Sequence, residues 1–167
     1  MGAPGAVYDS IIAGIKAHYE TTDNGAVNRF LGIRIQFSPG QLLQMDQTEY
    51  VEEVAERFKD HWTIFKDGEI QTPLPPDAYD VALNPWTPPI DSDQAAWFKG
   101  FPYRQLVGAL LWLMLNTRPD LAHAVTFCAR WNQKPTYGAC FVLCHLMNYV
   151  VLTKGRGLQY AKPELLD

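Results

Sequence analysis

Seven of the chain's twelve prolines fall between residues 71 and 102, and no other feature limits the fold as much. Proline removes a backbone donor and pushes the residue before it out of the helical region. A stretch reading "TPLPPD" and then "PWTPP" therefore has neither a long helical period nor the alternation of a strand, and it reads as a connection between two lobes. The chain divides accordingly into residues 1–70, the proline-rich linker 71–102, and residues 103–160. At 167 residues, 47% apolar and 19% charged, it is long enough for one ordinary domain or two small lobes with a sizeable core.

Ahead of the linker, Tyr8, Ile11, Ile12, Ile15 and Tyr19 recur at helical spacing. "TTDNGAVN" follows as a break, with Asn24-Gly25 at its tip. Leu31, Ile33, Ile35 and Phe37 then alternate with Phe30, Gly32, Arg34 and Gln36, the period of a strand. "SPGQ" offers Pro and Gly to a type II turn, and "QLLQM" returns as the partner strand. Gly32 inside the first strand implies either a close approach by another backbone or ligand, or relief of crowding against the first helix. Asp46 and Glu49 have capping-box spacing. The helix they start carries Tyr50, Val51, Val54, Ala55 and Phe58 on one face and Glu49, Glu52, Glu53 and Glu56 on the other. That acidic face suits solvent or a protein contact rather than phosphate.

Beyond the linker the pattern is helical. Tyr103, Leu106, Val107, Leu110, Leu111 and Met114 form a broad apolar face, and Trp112, Leu113 and Leu115 extend it around most of the helix. "NTRPD" breaks this helix, and Pro119 opens the next. A third helix runs from about Thr136 to Thr153, with Gly155 as its stop and "GLQY" as a short final strand. The predicted class is α+β: an N-terminal helix and β-hairpin followed by a mainly α-helical region. No internal repeat is visible.

Charge is split between the two halves. Residues 1–95 carry 6 Lys/Arg against 15 Asp/Glu, a net of −9, whereas residues 96–167 carry 8 against 3, a net of +5. Only the second half is suited to a polyanion. No run of 18 apolar residues suggests a membrane span, and the N-terminus lacks the basic-then-apolar order of a secretory signal. Three irregularly spaced cysteines give no disulfide framework, so a reducing, cytoplasmic setting is expected, with nuclear entry left open. Cys140, Cys144 and His145, with Cys128 and His123 as further donors, match no usual zinc spacing, and packing is the better reading of the thiols. No phosphate loop, nucleophile elbow or zincin helix occurs.

"YRQLVGALLWLMLNTRPDLAHAVTFCARW" at 103–131 closely resembles a segment of the Pol polyproteins of copia-type LTR retrotransposons. "NRFLGIRI", "LLQMDQTEYVEEVAERF", "TPLP" and "HLMNYVVLTKGRGLQY" resemble further segments of that family, in the same order. The resemblance implies the end of a reverse transcriptase palm with its primer-grip hairpin, then thumb and connection, stopping short of ribonuclease H. On that reading Phe30, Leu31 and Gly32 occupy the primer-grip position. Arg34, Arg118, Arg130, Lys134, Lys154 and Arg156 are the further candidates for template-primer contact. No Tyr-x-Asp-Asp occurs in the chain, and two-metal phosphoryl transfer needs carboxylates to hold both ions. The resemblance thus implies a fragment that is inactive alone. It carries no catalytic residue, no metal ligand and no cofactor of its own, Mg2+ being expected only for the full-length polymerase. The expected partners are an RNA–DNA hybrid or primer-template and the remaining palm and ribonuclease H domains, with no membrane. The rival is a retroelement-derived helical module that binds protein and has no nucleic-acid role. Two departures from the family stand out: the proline-rich linker is longer, and "FVLCHLMNYVVL" is more apolar.

Overall fold

The structure, a computed structural model, describes residues 6–22, 27–38, 42–62 and 70–161. It is α+β: α1 (Ala6–His18), β1 (Arg29–Phe30), β2 (Ile33–Ser38), β3 (Leu42–Asp46), α2 (Thr48–Arg57), a 3-10 turn (Lys59–His61), α3 (Ala78–Leu83), α4 (Asp93–Gly100), α5 (Tyr103–Asn116), a second 3-10 turn (Pro119–Leu121), α6 (Ala122–Ala129), α7 (Tyr137–Leu152) and β4 (Gly157–Ala161). The two tips expected at Asn24-Gly25 and at Pro39-Gly40 lie outside the described residues.

The core is built around α7. Its sequence, YGACFVLCHLMNYVVL, has no Lys, Arg, Asp or Glu, so no face of it demands water. Leu143, Leu146 and Met147 are fully buried, each contributing about 1.5–3 kcal/mol from burial. Thr136 caps its N-terminus by accepting from the Ala139 N–H at 3.0 Å, and the helix ends at Thr153, as its sequence pattern predicts. Val51 and Val54 of α2, Leu106, Leu110 and Leu113 of α5, and Val125 and Cys128 of α6 complete this core. Pro119 does open a helical turn, a short 3-10 segment that leads into α6. α5 buries Tyr103, Leu106, Val107, Ala109, Leu110 and Leu113, but of the residues that extend its apolar face Trp112 and Leu115 are exposed.

The stretch 71–102 is not the periodless connection its prolines suggest. It carries α3 and α4, and Ala78 and Ala82 of α3 are buried. α3 lies on the start of α7 so closely that a Cβ on Gly138 would sit 1.8 Å from the Val81 carbonyl oxygen. The Thr136 hydroxyl also donates to the Ala82 carbonyl at 2.6 Å. Both helices are short enough, 6 and 8 residues, to fit between prolines without showing a full amphipathic period.

The four strands form one antiparallel sheet in chain order, with Ile35 opposite Met45 and Met45 opposite Leu158. Because cross-strand partners share a face, Ile33, Ile35, Phe37, Leu43, Met45, Leu158 and Tyr160 make one apolar side. Ile33 is buried, yet Phe37 and Tyr160 are more than half exposed. Gly32 is not within a strand. Leu31 and Gly32 have φ of 50° and 77° and join Phe30 to its partner Ile33, the two-residue turn with both central φ positive that favours hairpins. Among the described residues nothing lies within 4 Å of a Cβ built on Gly32, so no crowding against α1 is relieved there, and the positive φ of the turn is what calls for a glycine.

α1 is amphipathic as read, but Ile11, Ile15 and Tyr19 are all exposed. The capping box expected from Asp46 and Glu49 does not form, because α2 starts at Thr48 with Gln47 in the N-cap position and making no side-chain cap. Asp46 Oδ1 accepts from the Thr48 N–H at 3.1 Å, while Glu49, instead of reaching back, pairs with Arg29.

Candidate nucleic-acid interface

The six cations singled out from the sequence separate into two groups. Four of them are engaged within the protein, Arg34 inside the sheet and the other three around the C-terminal end of α7. Arg34 donates twice to Asp46 Oδ2, at 3.0 and 2.9 Å, across the β2–β3 ladder. Lys154 Nζ lies 2.6 Å from Glu52. Arg156 donates to the Tyr149 hydroxyl at 2.7 Å, and its guanidinium lies 5.8 Å from the centre of that ring.

Arg118 is the most committed. Its side chain is 2% exposed. Nε and Nη2 grip both Asp120 oxygens at 2.9 Å, Nη1 donates to the Thr153 carbonyl at 3.1 Å, and Nη2 also reaches the Thr153 hydroxyl at 2.9 Å. The guanidinium therefore ties the α5–α6 bend to the C-terminus of α7.

Two carboxylates record these contacts. Burial acts to raise the Asp120 pKa, but the hydrogen bonds and charge of Arg118 outweigh it and leave the group below its ordinary value. At Asp46 burial is likewise outweighed, here by Thr48 and Arg34.

Arg130 and Lys134 form the second group. Neither has an ion pair among the described residues, and both line a cleft of about 640 Å³ with Trp86, Phe98, Trp131 and Tyr137. Arg104 holds the cleft's rim by donating to the Asn132 and Gln133 carbonyls at 2.6 and 3.4 Å. The buried Trp131 Nε1 has no hydrogen-bond partner among the described residues. Aromatic faces beside unpaired cations suit stacked bases and phosphate. Sequence reasoning missed the aromatic half of this cleft, although the tryptophan in "NPWTPP" was its visible signal. Phe30, Leu31 and Gly32 stand apart, exposed at the β1–β2 turn.

The thiols are structural. Burial pushes Cys128, Cys140 and Cys144 up to about 12, far from the thiolate that metal binding or nucleophilic attack requires. Among the described residues no group of three His, Cys, Asp or Glu is placed to hold a metal ion. No helix there is long and apolar enough to cross a membrane.

The chain matches no protein-family model and, at a significant level, no solved structure. Among curated proteins it is similar to a retrovirus-related Pol polyprotein from transposon TNT 1-94 of Nicotiana tabacum, 30% identical over 119 residues, which is 70% of this chain and 8% of that protein. An uncharacterized mitochondrial protein of Arabidopsis thaliana is 28% identical over 166 residues, covering 99% of this chain and 62% of the relative. A putative transposon Ty5-1 protein of Saccharomyces cerevisiae is 25% identical over 154 residues, covering 92% and 46%. The chain thus spans less than two thirds of each relative's length. Its similarity to retrotransposon Pol proteins supports a retroelement-derived fragment.

Proposed function

We propose that the chain is a non-catalytic part of a copia-like reverse transcriptase that positions template-primer. The observation that carries this reading is the cleft in which Arg130 and Lys134, candidate cations with no ion pair among the described residues, stand beside Trp86 and Trp131. The exposed turn Phe30-Leu31-Gly32 supports a second contact, in the manner of a primer grip. Arg34, Arg118, Lys154 and Arg156 act indirectly: Arg34 braces the β2–β3 ladder, and the other three hold the C-terminal end of α7 and its neighbours in place. Mg2+ and the chemistry belong, on this reading, to the rest of the polyprotein. The exposed apolar surfaces of α1 and the sheet fit the palm and ribonuclease H domains as packing partners.

Those same surfaces favour one rival, a module that binds protein alone. Fluorescence anisotropy with a labelled RNA–DNA hybrid separates the two. Two phosphate contacts give a log–log salt slope of roughly −2, and an Arg130→Ala/Lys134→Ala variant brings it close to zero. Failure to bind hybrid at low salt, or affinity indifferent to salt, refutes the proposal and leaves the protein-binding module.

A further inference from the structure

A second cavity, of about 360 Å³, lies where the 3-10 turn Lys59–His61, the start of α4 and the first half of α7 meet. Its walls are aromatic. Trp97, Tyr137 and Phe141 form a corner, with ring centres 5.8 Å apart for Trp97–Tyr137, 4.9 Å for Tyr137–Phe141 and 5.6 Å for Trp97–Phe141. Trp62 is a fourth aromatic wall.

Both indoles are fixed from behind. Trp62 Nε1 donates to the Ala55 carbonyl and Trp97 Nε1 to the His61 carbonyl, each at 3.2 Å. The cage is therefore rigid before any ligand arrives. Phe141, 48% exposed, leaves the corner open to solvent.

The formal charges at neutral pH among the described lining residues are negative. Among the described residues Asp60 and Asp93 line the cavity together with His61, and no Lys or Arg does. Both carboxylates are exposed, and neither is hydrogen-bonded or ion-paired among the described residues. Asp93 also suits the first turn of α4 through the helix dipole, but that role leaves its charge at the cavity. Aromatic faces attract cations through the ring quadrupole, and a primary ammonium is held back by its strong hydration.

We propose that this cavity binds an alkylated ammonium group, as carried by choline or by a trimethylated lysine. It is independent of the nucleic-acid reading, because two carboxylates with no Lys or Arg among the described lining residues repel phosphate.

The test is titration of the full chain, followed by tryptophan fluorescence and calorimetry, with choline and with its uncharged isostere 3,3-dimethylbutan-1-ol. Choline is expected to bind about tenfold more tightly than the isostere. Asp60→Asn/Asp93→Asn, at two exposed positions, is expected to remove most of that preference, and Phe141→Leu to weaken choline binding severalfold. Far-UV circular dichroism establishes that the variants remain folded. A trimethyl-lysine peptide that binds better than choline identifies a side-chain ligand, and the reverse order identifies a free amine; either supports the proposal. Equal binding of choline and its isostere, no binding of any cation, or a charge preference that survives the double Asn variant overturns it.

Discussion

Replacing Arg118 distinguishes a cation that faces nucleic acid from one that holds the protein together. The guanidinium makes two bonds to Asp120 and one each to the carbonyl and the hydroxyl of Thr153, with its side chain 2% exposed. Arg118→Ala leaves the Thr153 carbonyl without this donor and Asp120 without its bonded counter-charge, with only the charge of Arg156 left to act on it. Breaking a buried pair by removing one partner costs about 3–5 kcal/mol. Because the Asp120 side chain is 40% exposed and regains water, the lower end applies, roughly 3 kcal/mol. With a urea m value of about 2 kcal/mol per molar, the unfolding midpoint falls by about 1.5 M. The assay is urea unfolding followed by circular dichroism, paired with hybrid binding at several salt concentrations under conditions where the variant is folded. The expected result is a large loss of stability with the salt slope unchanged. A loss below about 1 kcal/mol together with a slope shallower by about one refutes the reasoning and makes Arg118 a phosphate contact.

Three further outcomes follow from local geometry. Leu31 sits at positive φ without the short polar side chain that tolerates it, so Leu31→Asn is expected to raise stability by about 0.5–1 kcal/mol in chemical unfolding. Gly138→Ala drives a Cβ against the Val81 carbonyl; it is expected to cost about 2–3 kcal/mol and to speed amide exchange across α3 before the rest of the core. Asp46 and Asp120 have folded-state pKa values depressed below their ordinary ones. Their contribution is complete above the unfolded carboxylate value, near 3.9, and is lost as pH falls through the lower folded values. Urea midpoints measured from pH 7 down to about 2.5 should therefore fall at the acid end, and by less in Asp46→Asn/Asp120→Asn.

What could be read in the sequence followed its periodicity. The span from Tyr103 to Thr153 gave its helices and their ends because Pro119 and Thr136 act locally and α7 lacks charge throughout. The β2–β3 hairpin was legible from alternation alone. That alternation also misled, since Leu31 keeps the strand period while occupying a turn, and a Leu-Gly turn lacks the polar residue that signals one. In the proline-rich stretch α3 and α4 were hidden because helices this short do not complete an amphipathic pattern, and the burial of α3 comes from α7, far along the chain. The cations were visible as residue types, but not their partners. Arg118 is consumed by Thr153, and Trp86 meets Arg130 and Lys134 only through tertiary packing. The apolar face of α1 was legible; what would cover it is not a property of these residues.

The most direct test of the central claim is photocrosslinking of the chain to a bromouridine-substituted RNA–DNA hybrid, with the crosslinked residues identified by mass spectrometry. The account predicts crosslinks within residues 84–87 and 130–136, around Trp86 and Trp131, with a second set at Phe30 and Leu31. Crosslinks confined to the acidic face of α2 or to α1, or a bound hybrid that crosslinks at neither predicted place, would contradict it.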